Sequence, residues 1–166
     1  MSEDVGIIGI QFAYPEFKYS TQELIDIMGN KISDKTKENI LELGVNQRYF
    51  VRPIDHYLGN SDGTYPSSDD HKEPISDLAA NVAQQCISKL GLSTNDISCV
   101  LAASENNDYL SPGLSSLLIR KIGLSNFTPH FNLQGMACST FLKVLELGRN
   151  LVKNDNDNVL VVISGC

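Results

Sequence analysis

Asn132-Leu133-Gln134-Gly135-Met136-Ala137-Cys138-Ser139-Thr140-Phe141 is the stretch of this chain that decides its fold. Residues 128–133 read as a short extended run, Gly135 supplies a flexible turn, and from Ser139 onward the pattern is helical. That order puts Cys138 at a strand-to-helix junction, an elbow that exposes a side chain while holding it rigidly. A thiol at the start of a helix faces unpaired backbone N–H groups and the positive end of the helix dipole. Both favour the thiolate, the form that attacks carbon. Cys138 is therefore the candidate nucleophile.

The elements around this elbow alternate. Val5 to Phe12 reads as a first strand, with Gly6 and Gly9 permitting close backbone approach. Ser20 or Thr21 caps a short helix through Ile27, and a second helix runs from about Ser33 to Leu43, ending at Gly44. Residues 47–51 suggest a brief strand, and 55–73 a polar loop rich in Asp, Ser, Gly and Pro. Pro74 opens a helix to Leu90 whose apolar stripe is Leu78, Val82, Cys86 and Leu90, with Ala79, Ala83 and Ile87 beside it. Ile97 to Ala103 is a continuous apolar strand, the kind buried on both faces of a parallel sheet. Ser111-Pro112 starts the next helix in cap-then-proline order, which ends near Gly123. The 128–133 strand, the Cys138 helix and a strand over 158–163 complete the series. The fold class implied is α/β, with a mostly parallel sheet and helices on both faces.

The bulk properties narrow the function. The 166 residues carry a formal net charge of −7, so no basic stripe is available to pair with nucleic-acid phosphates. No apolar run reaches membrane-spanning length, and the start of the chain lacks a signal peptide's basic and apolar regions, so a cytoplasmic setting is expected. The four cysteines form no Cys-x-x-Cys unit, which argues against a zinc ribbon or a redox pair. Cys86 and Cys99 read as small apolar core residues. The Asn154 to Asn158 run lacks a calcium loop's glycine and distal glutamate, and reads as a turn. No metal and no cofactor are implied.

The helix after Cys138 confines its charges to a narrow stripe of Lys143, Glu146, Arg149 and Lys153. Phe141, Leu142, Val144, Leu145, Leu147, Leu151 and Val152 cover most of the rest, and a helix apolar on most sides is buried on most sides. A single sheet cannot cover it. The chain is expected to be half of a larger unit, with a missing second half or a partner chain packed on this helix.

In order and spacing these segments resemble the N-terminal half of thiolase-fold condensing enzymes of the 3-oxoacyl-(acyl carrier protein) synthase III type. Gly6-Ile7-Ile8-Gly9-Ile10 looks like that family's first strand, and Tyr19-Ser20-Thr21-Gln22-Glu23-Leu24 like its first short helix. Gly44-Val45-Asn46-Gln47-Arg48-Tyr49-Phe50 is similar to its "GI-x-x-R" stretch. Ser76-Asp77-Leu78-Ala79 and the segment from Ile97 to Ser104 match in kind and order. The elbow itself, Asn-Leu-x-Gly-Met-x-Cys-Ser, resembles the plant-type very-long-chain 3-ketoacyl-CoA synthases.

The resemblance implies one half, residues 1–166, of an αβαβα layered architecture, and an acyltransferase of the 3-oxoacyl synthase kind. The cysteine matching Cys138 takes an acyl group as a thioester, and a malonyl- or acetyl-type second substrate supplies the carbon nucleophile. Partners implied are acyl-CoA or acyl carrier protein thioesters, together with a C-terminal half or partner subunit that supplies His and Asn, in a homo- or hetero-dimer. His56, His71 and His130 read as solvent-exposed or locally bonded imidazoles rather than substitutes. Where the synthase III family often has Trp and Arg against the CoA adenine, this chain has Glu38 and Glu42, which repel CoA phosphates and favour a carrier-protein donor or a surface elsewhere. The stretch from Glu73 to Asp77 also resembles 3-hydroxy-3-methylglutaryl-CoA synthases, in which Glu73 would match a general acid/base. Its bland alternative is an acidic residue favoured at a helix N-terminus. Glu105 and Asp108 stand after a strand, either near a ligand or in an ordinary polar loop. Simple acyl transfer without condensation, and a non-catalytic scaffold subunit, are the other readings that Cys138 leaves open.

Overall fold

The computed structural model describes residues 5–59, 64, 74–104, 107–155 and 157–165. The chain divides into two compact units, residues 14–73 and residues 1–13 with 74–166.

In the smaller unit, β1 (Phe17–Ser20) pairs antiparallel with β2 (Gln47–Phe50). Between them lie α1 (Thr21–Met28) and α2 (Asp34–Glu42). Ser20 and Glu23 form a reciprocal capping box at the start of α1. Ser33 caps α2 through the Thr36 N–H, and Gly44, at φ 68°, follows its end. Arg48 Nη1 donates to Thr21 Oγ1 at 2.7 Å, so the arginine of the "GI-x-x-R" stretch ties β2 to α1. Rings fill the remaining space: Tyr14 stacks on Tyr49 at 4.4 Å, and Phe50 meets Tyr19 and Tyr57 at 5.8 and 5.3 Å. The loop expected from residue 55 begins instead with a short helix, α3 (Asp55–Leu58). It is anchored by the buried Ile54, whose N–H donates to the Tyr19 hydroxyl.

The larger unit is a three-stranded parallel sheet with helices on both faces. Its order is β4 (His130–Leu133), β3 (Ile97–Ser104), β5 (Asn158–Ser164). Val100, Leu101 and Ala102 have no solvent exposure, as expected of a strand covered on both faces. Val100 and Ala102 point to one side, where α4 (Ile75–Lys89) and α5 (Leu114–Ile122) pack. Cys99, Leu101 and Ala103 point to the other and meet Val144 of α6 (Thr140–Leu151). Gly148, buried in the middle of α6, faces Leu101 and Val161 and lets that helix approach the strands closely. Phe141 and Leu142 on the same helix remain 50% and 67% exposed.

Three expectations are corrected here. Val5 to Phe12 forms no strand and pairs with none of β3, β4 and β5. It lies instead along α4, with Gly9 against Leu90 and Gln11 bonded to Gln85 and Lys89. Ile7, Ile8, Ile10 and Phe12 are exposed. On α4 the buried residues are Ile75, Ser76, Ala79, Ala80, Ala83 and Ile87, while Leu78, Val82 and Cys86 are half-buried and Leu90 is exposed. The small alanines allow a closer approach of helix to sheet than the larger stripe permits. Lastly, α5 begins at Leu114 with Gly113 as its N-cap residue, rather than at Ser111-Pro112.

Asn154 and Asp155 lie in a turn after α6, and Asn158 already belongs to β5. Asp157 accepts the backbone N–H groups of Lys153 and Asn154, both at 2.9 Å. These bonds hold its carboxyl below the usual Asp range. A carboxylate so lowered adds stability above its unfolded-state value and loses it as pH falls through the lowered folded value. The thermal midpoint should therefore drop on acidification below the ordinary carboxylate range, and Asp157→Asn should flatten that part of the profile. In the core, Leu118 has no exposure, and Leu118→Ala should cost about 2–5 kcal/mol in denaturant unfolding.

Candidate active site

The elbow follows directly from the ladder. β4 is held in register on β3 with Ala102 opposite Asn132 and Ala103 opposite Leu133. The chain then turns through Gly135, whose φ of 79° is left-handed and suits a residue without Cβ. Residues 137–139 form one 3₁₀ turn, closed by the Ser139 N–H on the Met136 carbonyl at 3.1 Å and the Ser139 hydroxyl on the same oxygen at 2.6 Å. Cys138 is thus the middle residue of a tight turn immediately before α6, and its side chain is exposed.

Because β3 and β4 run parallel, the loops after them leave the same edge of the sheet, the carboxyl edge where open α/β folds bind ligands. Asp108, in the loop after β3, accepts the N–H groups of Ile75 and Ser76 at 2.8 Å each, so it caps α4 and ties that helix start to this edge. Beside this cap, Ser76 Oγ and Asn107 Oδ1 are buried and make no hydrogen bond among the described residues. Asn132 performs the same service for α5: its Oδ1 accepts the Ser115 N–H at 2.8 Å. The carboxyl edge therefore gathers the Cys138 turn and the starts of two helices.

Glu73, Glu105 and His71 lie outside the described residues, as does Cys166. His56 sits in α3 against the Arg52 guanidinium. His130 has both ring nitrogens engaged, Nδ1 with the Thr128 carbonyl at 3.0 Å and Nε2 with the Ser116 hydroxyl at 3.3 Å. The His130 ring is thus bonded to Thr128 and Ser116 rather than to Cys138. Glu38 and Glu42 are exposed on α2. Among the described residues no group of three or more His, Cys, Asp or Glu could hold a metal ion. No helix among them is long and apolar enough to cross a membrane.

The other described cysteines differ sharply from Cys138. Cys99 is 5% exposed on β3, and burial pushes its thiol pKa up. Cys86 is half-buried on α4. Sequence reasoning missed the two capping roles, because a cap delivered from another element has no local spacing. The only signals were a short polar side chain at 132 inside the elbow motif and one at 108 after a strand.

No known family profile matches the chain. It is similar to 3,5-dihydroxyphenylacetyl-CoA synthase of Amycolatopsis orientalis, with 24% identity over 149 residues, 89% of this chain and 40% of the relative. It is also similar to beta-ketoacyl-(acyl-carrier-protein) synthase III 2 of Bacteroides thetaiotaomicron, with 26% identity over 95% of this chain and 40% of that one. Among solved structures, germicidin synthase of Streptomyces coelicolor, a type III polyketide synthase, superposes with a TM-score of 0.72 at 18% identity, covering 92% of this chain and 49% of that one. The fold is the thiolase-type α/β fold of condensing enzymes, and the chain resembles the N-terminal half of such enzymes. It spans about 40% of the length of these sequence relatives.

Graded exposure gives a direct check. Iodoacetamide under native conditions should alkylate Cys138 well before Cys99, as read by peptide mass spectrometry. Equal rates in the folded protein would contradict the burial of β3.

Proposed function

We propose that this chain is the amino-terminal part of a condensing enzyme in which Cys138 carries an acyl group as a thioester. The observation that supports this most is the exposed thiol in the tight turn between β4 and α6, at the carboxyl edge of a parallel sheet whose relatives are named as synthases. In the first step the Cys138 sulfur attacks the carbonyl of an acyl thioester. An acyl–S bond to Cys138 forms, and the donor leaves as its free thiol. In the second, a malonyl-type thioester loses CO₂, its carbon attacks the acyl carbonyl, and the electron pair returns to the Cys138 sulfur as the C–C bond forms.

Each carbonyl attack builds negative charge on oxygen. Backbone N–H groups at the start of a helix are well placed to receive such charge. The His and Asn that the resemblance assigns to the decarboxylation step belong to the portion of the relatives that this chain does not cover, so a second half or partner subunit completes the site. Phe141 and Leu142, exposed at the start of α6, suit a surface covered by that missing portion. The acyl donor is an acyl-CoA or acyl carrier protein thioester; the acidic Glu38 and Glu42, at positions where the resemblance places CoA contacts, favour a carrier-protein donor or a CoA surface in the second half. Glu73, which precedes α4, is the candidate acid/base for an aldol-type variant of the second step.

The test is intact-protein mass spectrometry after incubation with acyl thioesters, followed by a malonyl thioester. One acyl increment should form, and Cys138→Ala should abolish it. Release of that increment only when the malonyl thioester is added supports condensation, and release without it supports simple acyl transfer. No increment from any donor, carrier-bound or CoA-bound, would leave the scaffold reading in its place.

A further inference from the structure

Gly113 and Asn132 interlock in a way that the fold of α5 alone does not require. Gly113 has φ −71° and ψ 168°, ordinary extended values open to any residue, so its torsions do not call for glycine. The space does. A Cβ on Gly113 would stand 1.8 Å from Asn132 Nδ2 and 2.7 Å from its Cγ. The position usually occupied by a capping side chain is filled by an amide from β4, which caps the Ser115 N–H from across the sheet edge. A serine or aspartate at 113 could cap α5 locally. Here the cap comes from the strand that carries the candidate nucleophile.

A second contact on the same side of β4 repeats the connection. His130, two residues earlier, reaches the Ser116 hydroxyl, and its ring is fixed by the Thr128 carbonyl. Strand residues two apart share a face, so β4 grips the first turn of α5 at two consecutive positions. On its other side the strand is set by its ladder to β3. Only residues 133–137 separate Asn132 from Cys138, and that short stretch is braced by the Ser139 bonds to Met136. A shift of Asn132 therefore passes directly to the thiol.

We propose that Asn132 is a positioning residue for Cys138: with Gly113 leaving it room, it locks β4 to the start of α5 and so sets where the thiol meets an acyl carbonyl. The inference rests on the reading of Cys138 as acyl acceptor. Misplacement of about 1 Å in such a site costs about a hundredfold in rate. A small unoriented alkylating reagent is far less demanding of geometry.

The test compares two rates at Cys138 in the intact protein: acylation by an acyl thioester and alkylation by iodoacetamide. Asn132→Ala should slow acylation by about tenfold or more while alkylation and its pH profile change by less than about twofold. Asn132→Asp keeps the acceptor for the Ser115 N–H and should restore acylation. Gly113→Ala should slow acylation like Asn132→Ala, and the double variant should be no slower than either single one, because both break one contact. If the unsubstituted protein is not acylated, the proposed function itself fails. If it is acylated and Asn132→Ala matches its rate, or Asn132→Asp gives no rescue, the positioning role alone is overturned. Should Gly113→Ala not fold, the alanine and aspartate variants at 132 decide the matter by themselves.

Discussion

β3 carries two parallel ladders and two apolar faces at once, and the rest of the larger unit is arranged by that constraint. Val100, Leu101 and Ala102 are removed from solvent altogether. Alternate side chains along the strand seat α4 and α5 on one face and α6 on the other. With both edges paired, β3 is held by two sets of backbone hydrogen bonds, and a slip of one residue would exchange the side chains packed on its two faces. β4 inherits that register, and the elbow that follows β4 inherits its place from β4. The position of one exposed sulfur thus traces back to the burial of a strand that does not contain it.

At the carboxyl edge, polar side chains tie the helix starts to the sheet. Asp108 accepts the Ile75 and Ser76 amides of α4 and Asn132 the Ser115 amide of α5, so each helix that covers this face is pinned to the loop or strand at the same end. Such bonds satisfy donors that a helix cannot satisfy for itself. They also make the edge a stiff frame around the Cys138 turn, which is what attack on a carbonyl held in a fixed orientation needs.

Much of this was legible in the sequence where the signal is local. The run from Ile97 to Ala103 announces a doubly buried strand by being apolar throughout. The capping box at Ser20 and the glycines at 44 and 123 mark helix ends by their own chemistry. The strand-Gly-Cys-helix order marks the elbow. What was not legible is what one element decides for another. Val5 to Phe12 has strand character, but pairing depends on a partner strand in another part of the chain, which the segment's own residues do not specify. On α4 both an alanine row and a leucine-valine row were available, and the close approach to the sheet selected the alanines. The caps from Asp108 and Asn132 cross 33 and 17 residues of sequence, respectively, so no spacing rule reveals them. Ser111-Pro112 reads as a helix start that gives Gly113 no role, whereas the side chain that crowds position 113 lies on β4.

The central claim is that Cys138, and not another thiol, is the group on which acyl chemistry happens. The most direct measurement is peptide mapping of the protein trapped after incubation with a labelled acyl thioester, with hydroxylamine treatment to confirm a thioester linkage. The account predicts a hydroxylamine-labile label confined to the peptide that carries Cys138. A label on Cys86 or Cys99, or spread evenly among the cysteines, would contradict it.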